Sequence, residues 1–221
     1  MAYHFNFDAV WRNYDRLLWG WVLSLEIAAV AIAAGAALGL CFALIHNNCG
    51  KAGRVGVRAY VELFRNVPLL LLVYVGFYGL PSIGGLALGA IETFALVLTV
   101  YASAQFTEVF RAGLDAVPRG VVEAGRAIGL HPLVNLRLVV APLMLRACLP
   151  SLGNLFISFF KETSLASAIA VPELTYGAQW INLNSFRVLE VYAIVTPMYL
   201  ATSYAISLLV QATERRFRSA G

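Results

Sequence analysis

The sequence predicts an all-α membrane protein with about five spanning helices, and three observations carry that prediction. Of 221 residues, 60% are hydrophobic and 13% charged, whereas soluble domains average about 45–50% apolar and about 25% charged residues. The apolar residues fall into runs as long as the roughly 20 residues a helical span needs. Short stretches bearing Gly, Pro and Arg separate these runs. A soluble enzyme does not fit this composition, and the length suits a single membrane domain over 1–221 with no second domain, repeat or low-complexity tail.

The first span is expected over 17–45. It is rich in Ala and Gly, with Gly35 and Gly39 in a GxxxG arrangement that lets helices approach closely. Its Ala-rich run imitates a signal peptide, but apolar sequence continues to Ile45, so an uncleaved span is expected. The second span, 57–80, carries Glu62, Arg65 and Pro68. Pro68 has no N–H to donate and should kink or interrupt the helix. Glu62 and Arg65 lie three apart, so they are expected to pair on one helix face and fix that break. An uncharged connection from Pro81 to Gly89 leads to the third span, 91–112. The fourth covers 138–168, with Pro150 and Gly153 as candidate break points, and the fifth covers 188–211.

Charge placement sets the expected orientation. With five spans, Lys51, Arg54 and Arg58, then Arg111, Arg119, Arg126 and Arg137, then Arg215, Arg216 and Arg218 all fall on one side. The N-terminus is therefore expected outside and the C-terminus in the cytoplasm. The net charge of +4 sits in short loops, which suits membrane topology and lipid contact better than a nucleic-acid face. Cys41, Cys49 and Cys148 form no CxxC, and His4, His46 and His131 form no ligand pair, so neither a disulfide framework nor a metal site is expected. No HExxH or Ser/His arrangement supports an intramembrane enzyme. Gly50–Lys51 is followed by Ala52 and lacks the upstream glycine of a P-loop, so the chain is expected to hydrolyse no ATP and to bind no cofactor itself.

The connection over 117–133 differs from the others. Pro118 suits the first turn of a helix, and Pro132 suits the start of the next. Gly129 suits a left-handed cap between them. Glu123, Arg126 and Arg119 supply polar surface beside small and apolar residues. Such a helix could fill a groove on another protein or lie among lipid headgroups, and periodicity alone leaves both open.

At this loop the sequence resembles the permease subunits of ABC importers. Those carry a cytoplasmic loop of the form EAA, three residues, Gly, nine residues, I-x-L-P. Here Glu123, Ala124 and Gly125 are followed at that spacing by Gly129 and by Val139 to Pro142. The departures are Gly125 for the second Ala, Val139 for Ile and Ala141 for Leu. The stretches Arg58 to Leu70, Glu108 to Gly120 and Leu149 to Leu174 resemble the branch that imports polar amino acids of the histidine, glutamine, arginine and glutamate type. Glu162 stands where that branch usually has Asp after Lys161. The resemblance implies the type I ABC importer permease fold in a bacterial inner (cytoplasmic) membrane. It implies that Glu123, Ala124, Gly125, Gly129 and Pro142 couple to a cytoplasmic ATPase dimer, which uses ATP–Mg. It implies a second permease subunit, alike or different, and a periplasmic or extracellular amino acid binding protein. A permease for another small polar solute, such as an opine, and a stand-alone secondary carrier are the alternatives.

Ionisable groups at membrane depth are costly and usually paired or functional. A free amino acid presents a carboxylate and an ammonium group. Glu26, Gln105, Lys161, Glu162, Thr163 and Ser164 are therefore candidate substrate-pathway residues, with packing roles as the alternative for each.

Overall fold

In the computed structural model, which describes residues 3–85 and 87–219 with side chains up to 216, every regular element is a helix. Leu86, in the connection before the third span, and the side chain of Arg218, counted for orientation, lie outside the described residues.

Nine helices can be followed among the described residues: α1 Asp8–Trp11, α2 Tyr14–Asn48, α3 Gly50–Asn66, α4 Leu69–Ser82, α5 Ala90–Asp115, α6 Arg119–Ala127, α7 Pro132–Ile169, α8 Leu174–Ser185 and α9 Val188–Ser219. Four of these, α2, α5, α7 and α9, are long and apolar enough to cross a membrane. The expected second span is not one helix. Its two halves, α3 and α4, meet at Val67–Pro68 with a bend of 101°. Pro68 is extended there (φ −56°, ψ 133°), because its ring fixes φ and its missing N–H ends the ladder. The fourth helix, by contrast, does not break at Pro150 or Gly153. It runs through both, with a wider turn at Leu136–Val140 and a tightened end at Thr163–Ile169. Helices in lipid tolerate Pro where neighbouring turns and helices re-satisfy the freed groups. Gly153 serves packing instead, since a Cβ there would collide with Val210 of α9.

The chain forms two compact units. The first comprises Met1–Ile32, Val67–Thr99 and Phe156–Ile206, and the second Ala33–Asn66, Val100–Leu155 and Ser207–Gly221. In the first unit, Val10, Leu17, Leu174, Ala178, Ile181, Val191 and Val195 make a buried cluster. Gly20 lets α2 touch the start of α8: a Cβ there would lie 2.7 Å from the carbonyl carbon of Glu173. Glu173 caps α8, accepting from the amides of Thr175 at 2.9 Å and Tyr176 at 2.8 Å. In the second unit, Gly39 of the GxxxG pair does the equivalent against α5, with a Cβ 2.6 Å from that of Phe106. The Tyr60 hydroxyl ties α3 to α5 through the Val100 carbonyl at 3.0 Å and Ser103 Oγ at 2.6 Å.

Candidate functional site

The loop singled out in the sequence is α6, in the second unit. Pro118 precedes it with an extended backbone (φ −59°, ψ 130°), and the Val121 amide donates to the Pro118 carbonyl at 3.0 Å. At the other end Gly129 is left-handed (φ +82°). Its amide donates to Arg126 O at 3.0 Å and the Leu130 amide to Gly125 O at 3.1 Å. This is the two-bond Schellman termination, which satisfies carbonyls a helix end otherwise leaves open. His131 then starts α7, its Nδ1 accepting from the Leu133 amide at 3.4 Å, with Pro132 in the first turn.

The five expected coupling residues do not share one surface. Glu123, Ala124, Gly129 and Pro142 are exposed, while Gly125 is buried. Gly125 faces Asn135 of α7, so its surroundings are this chain's own side chains. Asn135 is 3% exposed and donates from Nδ2 to the Val122 carbonyl at 3.0 Å. Sequence reasoning passed over Asn135. The one signal was the glycine at 125 where the resembling loop has alanine.

A polar cavity of about 380 Å³ also lies in the second unit, lined by residues that include Arg58, Glu62, Arg65, Gln105, Glu108 and Arg111. The pair expected between Glu62 and Arg65 is not formed. Arg65 reaches instead to α5, donating from Nε to Gln105 Oε1 at 3.2 Å and pairing with Glu108 at 3.4 Å. Glu108 is held by the fork of Arg111, whose Nε and Nη2 each donate to it at 2.9 Å. A fixed carboxylate across the cavity is a better partner than a neighbour on the same turn. Gln105 is thereby brought together with Arg65, and Glu108 joins them as a residue the sequence had offered only within a longer stretch.

The remaining pathway candidates are in the first unit. Lys161 is exposed and Glu162 half-buried, at the point where α7 tightens. Glu162 Oε2 is buried with no hydrogen-bond partner among the described residues. Thr163 is fully buried and its hydroxyl donates to its own helix at Phe160 O, 2.7 Å away. The Ser164 carbonyl accepts from Ser167 Oγ at 2.8 Å. Glu26 is exposed elsewhere, lining an open cavity with Arg12, Asp15, Arg16 and Trp19 that Lys161 to Ser164 do not line.

Sequence reasoning missed a further buried acid in this unit. Glu173 is fully buried and also accepts from Tyr199 OH at 3.1 Å and Ser24 Oγ at 3.3 Å. Burial pushes its carboxyl up to about 7, against the pull of the two backbone amides and the two hydroxyls.

Comparison with known proteins places these features in a family. Residues 27–219 match the family described as binding-protein-dependent transport system inner membrane component. The probable glutamine ABC transporter permease protein GlnM of Bacillus subtilis (strain 168) is 30% identical over 211 residues, 96% of this chain and 97% of that protein. The octopine transport system permease protein OccM of Rhizobium meliloti is 32% identical over 213 residues, 93% of this chain and 87% of that protein. Among solved structures, the crystal structure of an amino acid ABC transporter with histidines aligns with a TM-score of 0.88 and 29% identity, covering 97% of this chain and all of that one. With helices α2 to α9 so arranged and the loop around Glu123 so capped, the chain belongs to the binding-protein-dependent transport system inner membrane component family and is the permease of an ABC importer.

Proposed function

We propose that this permease carries polar amino acids, that two permease chains form its pathway, and that α6 is its contact with the ATPase. The observation that carries the coupling assignment is α6 itself, a short helix terminated at both ends by its own sequence, with Glu123 and Ala124 exposed. The charge distribution favours a cytoplasmic position for α6, with the N-terminus outside. ATP–Mg is bound and hydrolysed by the partner ATPase. A binding protein delivers the solute to the outer face, and nucleotide and solute shift the chain between inward- and outward-open states through their differential affinities.

The substrate class rests on Lys161 and Glu162 together with the relatives named for glutamine. An ammonium group and a carboxylate oxygen without a partner suit the two charges of a free amino acid. Arg65, Gln105 and Glu108 form a second polar surface on which such a solute can pass. The octopine relative favours an amino acid derivative of the opine type as the second reading.

Proteoliposomes containing this chain, its ATPase and its binding protein should accumulate glutamine or a related amino acid only with ATP inside reach of the ATPase. Uptake by the chain alone without ATP would refute the permease reading in favour of a secondary carrier. Glu162→Gln should change the concentration of amino acid giving half-maximal uptake. An unchanged value and an unchanged substrate profile would remove Glu162 from the pathway.

A further inference from the structure

We propose that Asn135 is a positioning residue, the key by which α7 holds α6 in one orientation, and that Gly125 is the matching hole. The inference rests on the reading of α6 as the coupling helix. Asn135 sits at the end of the first turn of α7 and is 3% exposed. A buried amide is retained only where it is bonded or constrained. Nδ2 donates to the Val122 carbonyl in the middle of α6 at 3.0 Å. Oδ1 is buried and has no hydrogen-bond partner among the described residues. It faces Gly125, where the amide lies against bare backbone: a Cβ at 125 would sit 2.8 Å from Asn135 Cγ and would overlap Oδ1.

Apolar side chains at these positions would also bring the helices together, but burial is non-directional. A hydrogen bond to one carbonyl, combined with an amide that fits over one glycine, sets rotation and register as well as distance. The helix so held is the one whose exposed face carries Glu123 and Ala124, and the helix holding it also bears Lys161 and Glu162. Movement of α6 by the ATPase is therefore passed to the first turn of α7 through this contact. The departure of this loop from alanine at 125 is explained by the same fit.

The test uses the complete transporter in proteoliposomes and three variants: Gly125→Ala, Asn135→Ala and the double substitution. The readouts are amino acid taken up per ATP hydrolysed, KM for ATP, and co-purification of the ATPase. Each single substitution should lower uptake per ATP by about tenfold, a size typical of strongly coupled neighbours. KM for ATP and co-purification should stay at wild-type values. The double variant should lose no more than either single variant, because the alanine methyl at 125 occupies space the amide has vacated and the hydrogen bond to the Val122 carbonyl is already gone. A double variant whose two losses multiply, to about a hundredfold, would overturn the proposal. So would an Asn135→Ala transporter with a wild-type ratio, or variants that are merely less abundant while the remaining protein couples normally. A wild-type assembly with no ATP-dependent uptake would instead refute the permease reading, and this inference with it.

Discussion

Gly129 offers the sharpest test of whether the end of α6 matters through its backbone or through its surface. Its φ of +82° is left-handed, and no atom of the described residues lies within 4 Å of where a Cβ would be. A substitution therefore meets no neighbour within this chain, and its effect on the chain itself is conformational. An L-residue held left-handed costs roughly 1–2 kcal/mol, which is a factor of about 5–30 in the population of the capped end. Asn tolerates this region better than Ala, and a β-branched residue tolerates it worst. Uptake should therefore fall in the order Gly, Asn, Ala, Val, with substrate-stimulated ATP hydrolysis falling in parallel at equal membrane abundance. Gly120 is the control. It too has nothing within 4 Å, but its φ is not positive, so Gly120→Ala should leave uptake unchanged. If Gly129→Asn were as damaging as Gly129→Val, or Gly129→Val as active as wild type, the backbone argument would be refuted.

Two further outcomes follow from the first unit. Gly20→Ala drives a methyl into the backbone of Glu173 and Leu174, which cannot swing away, and should destabilise the protein by about 1–3 kcal/mol. Thermal unfolding in detergent would show this as a lowered midpoint, whereas Gly56→Ala, with nothing within 4 Å, should leave the midpoint unmoved. The carboxyl of Glu173, raised from 4.5 to about 7, binds its proton more tightly folded than unfolded. Its contribution is therefore present in full below about pH 4.5 and lost as pH rises towards 7, with a total of about 3 kcal/mol. The midpoint should fall over that window, and Glu173→Gln should flatten the fall. A midpoint that rises from pH 5 to pH 7 in wild type but not in the variant would reverse the assignment.

The parts of the structure legible in the sequence were those fixed by local chemistry. Pro118, Gly129 and Pro132 each constrain their own backbone, and the helix they bracket is where that chemistry puts it. Pro68 announced a break, but the angle of 101° depends on what α3 and α4 pack against, which no local pattern records. The spacing of Glu62 and Arg65 suggested a pair on one turn, whereas Arg65 bonds to Gln105, 40 residues away. Pro150 looked like a break and is not one, because its neighbours keep α7 helical. Glu173 escaped notice because Glu is not among the usual helix-capping residues. Asn135 escaped because a single amide in an arginine-bearing apolar stretch has no period to betray it.

The fit of Asn135 over Gly125 also bears on how such loops are exchanged between transporters. A chimaera that receives residues 117–133 from a relative with alanine at 125 would bring a methyl up against an asparagine left behind in the host. The transplantable segment therefore has to extend through residue 135, and in a natural lineage a change at one position removes the cost of a change at the other. The unit that evolution can swap at this surface is a helix together with the first turn that grips it.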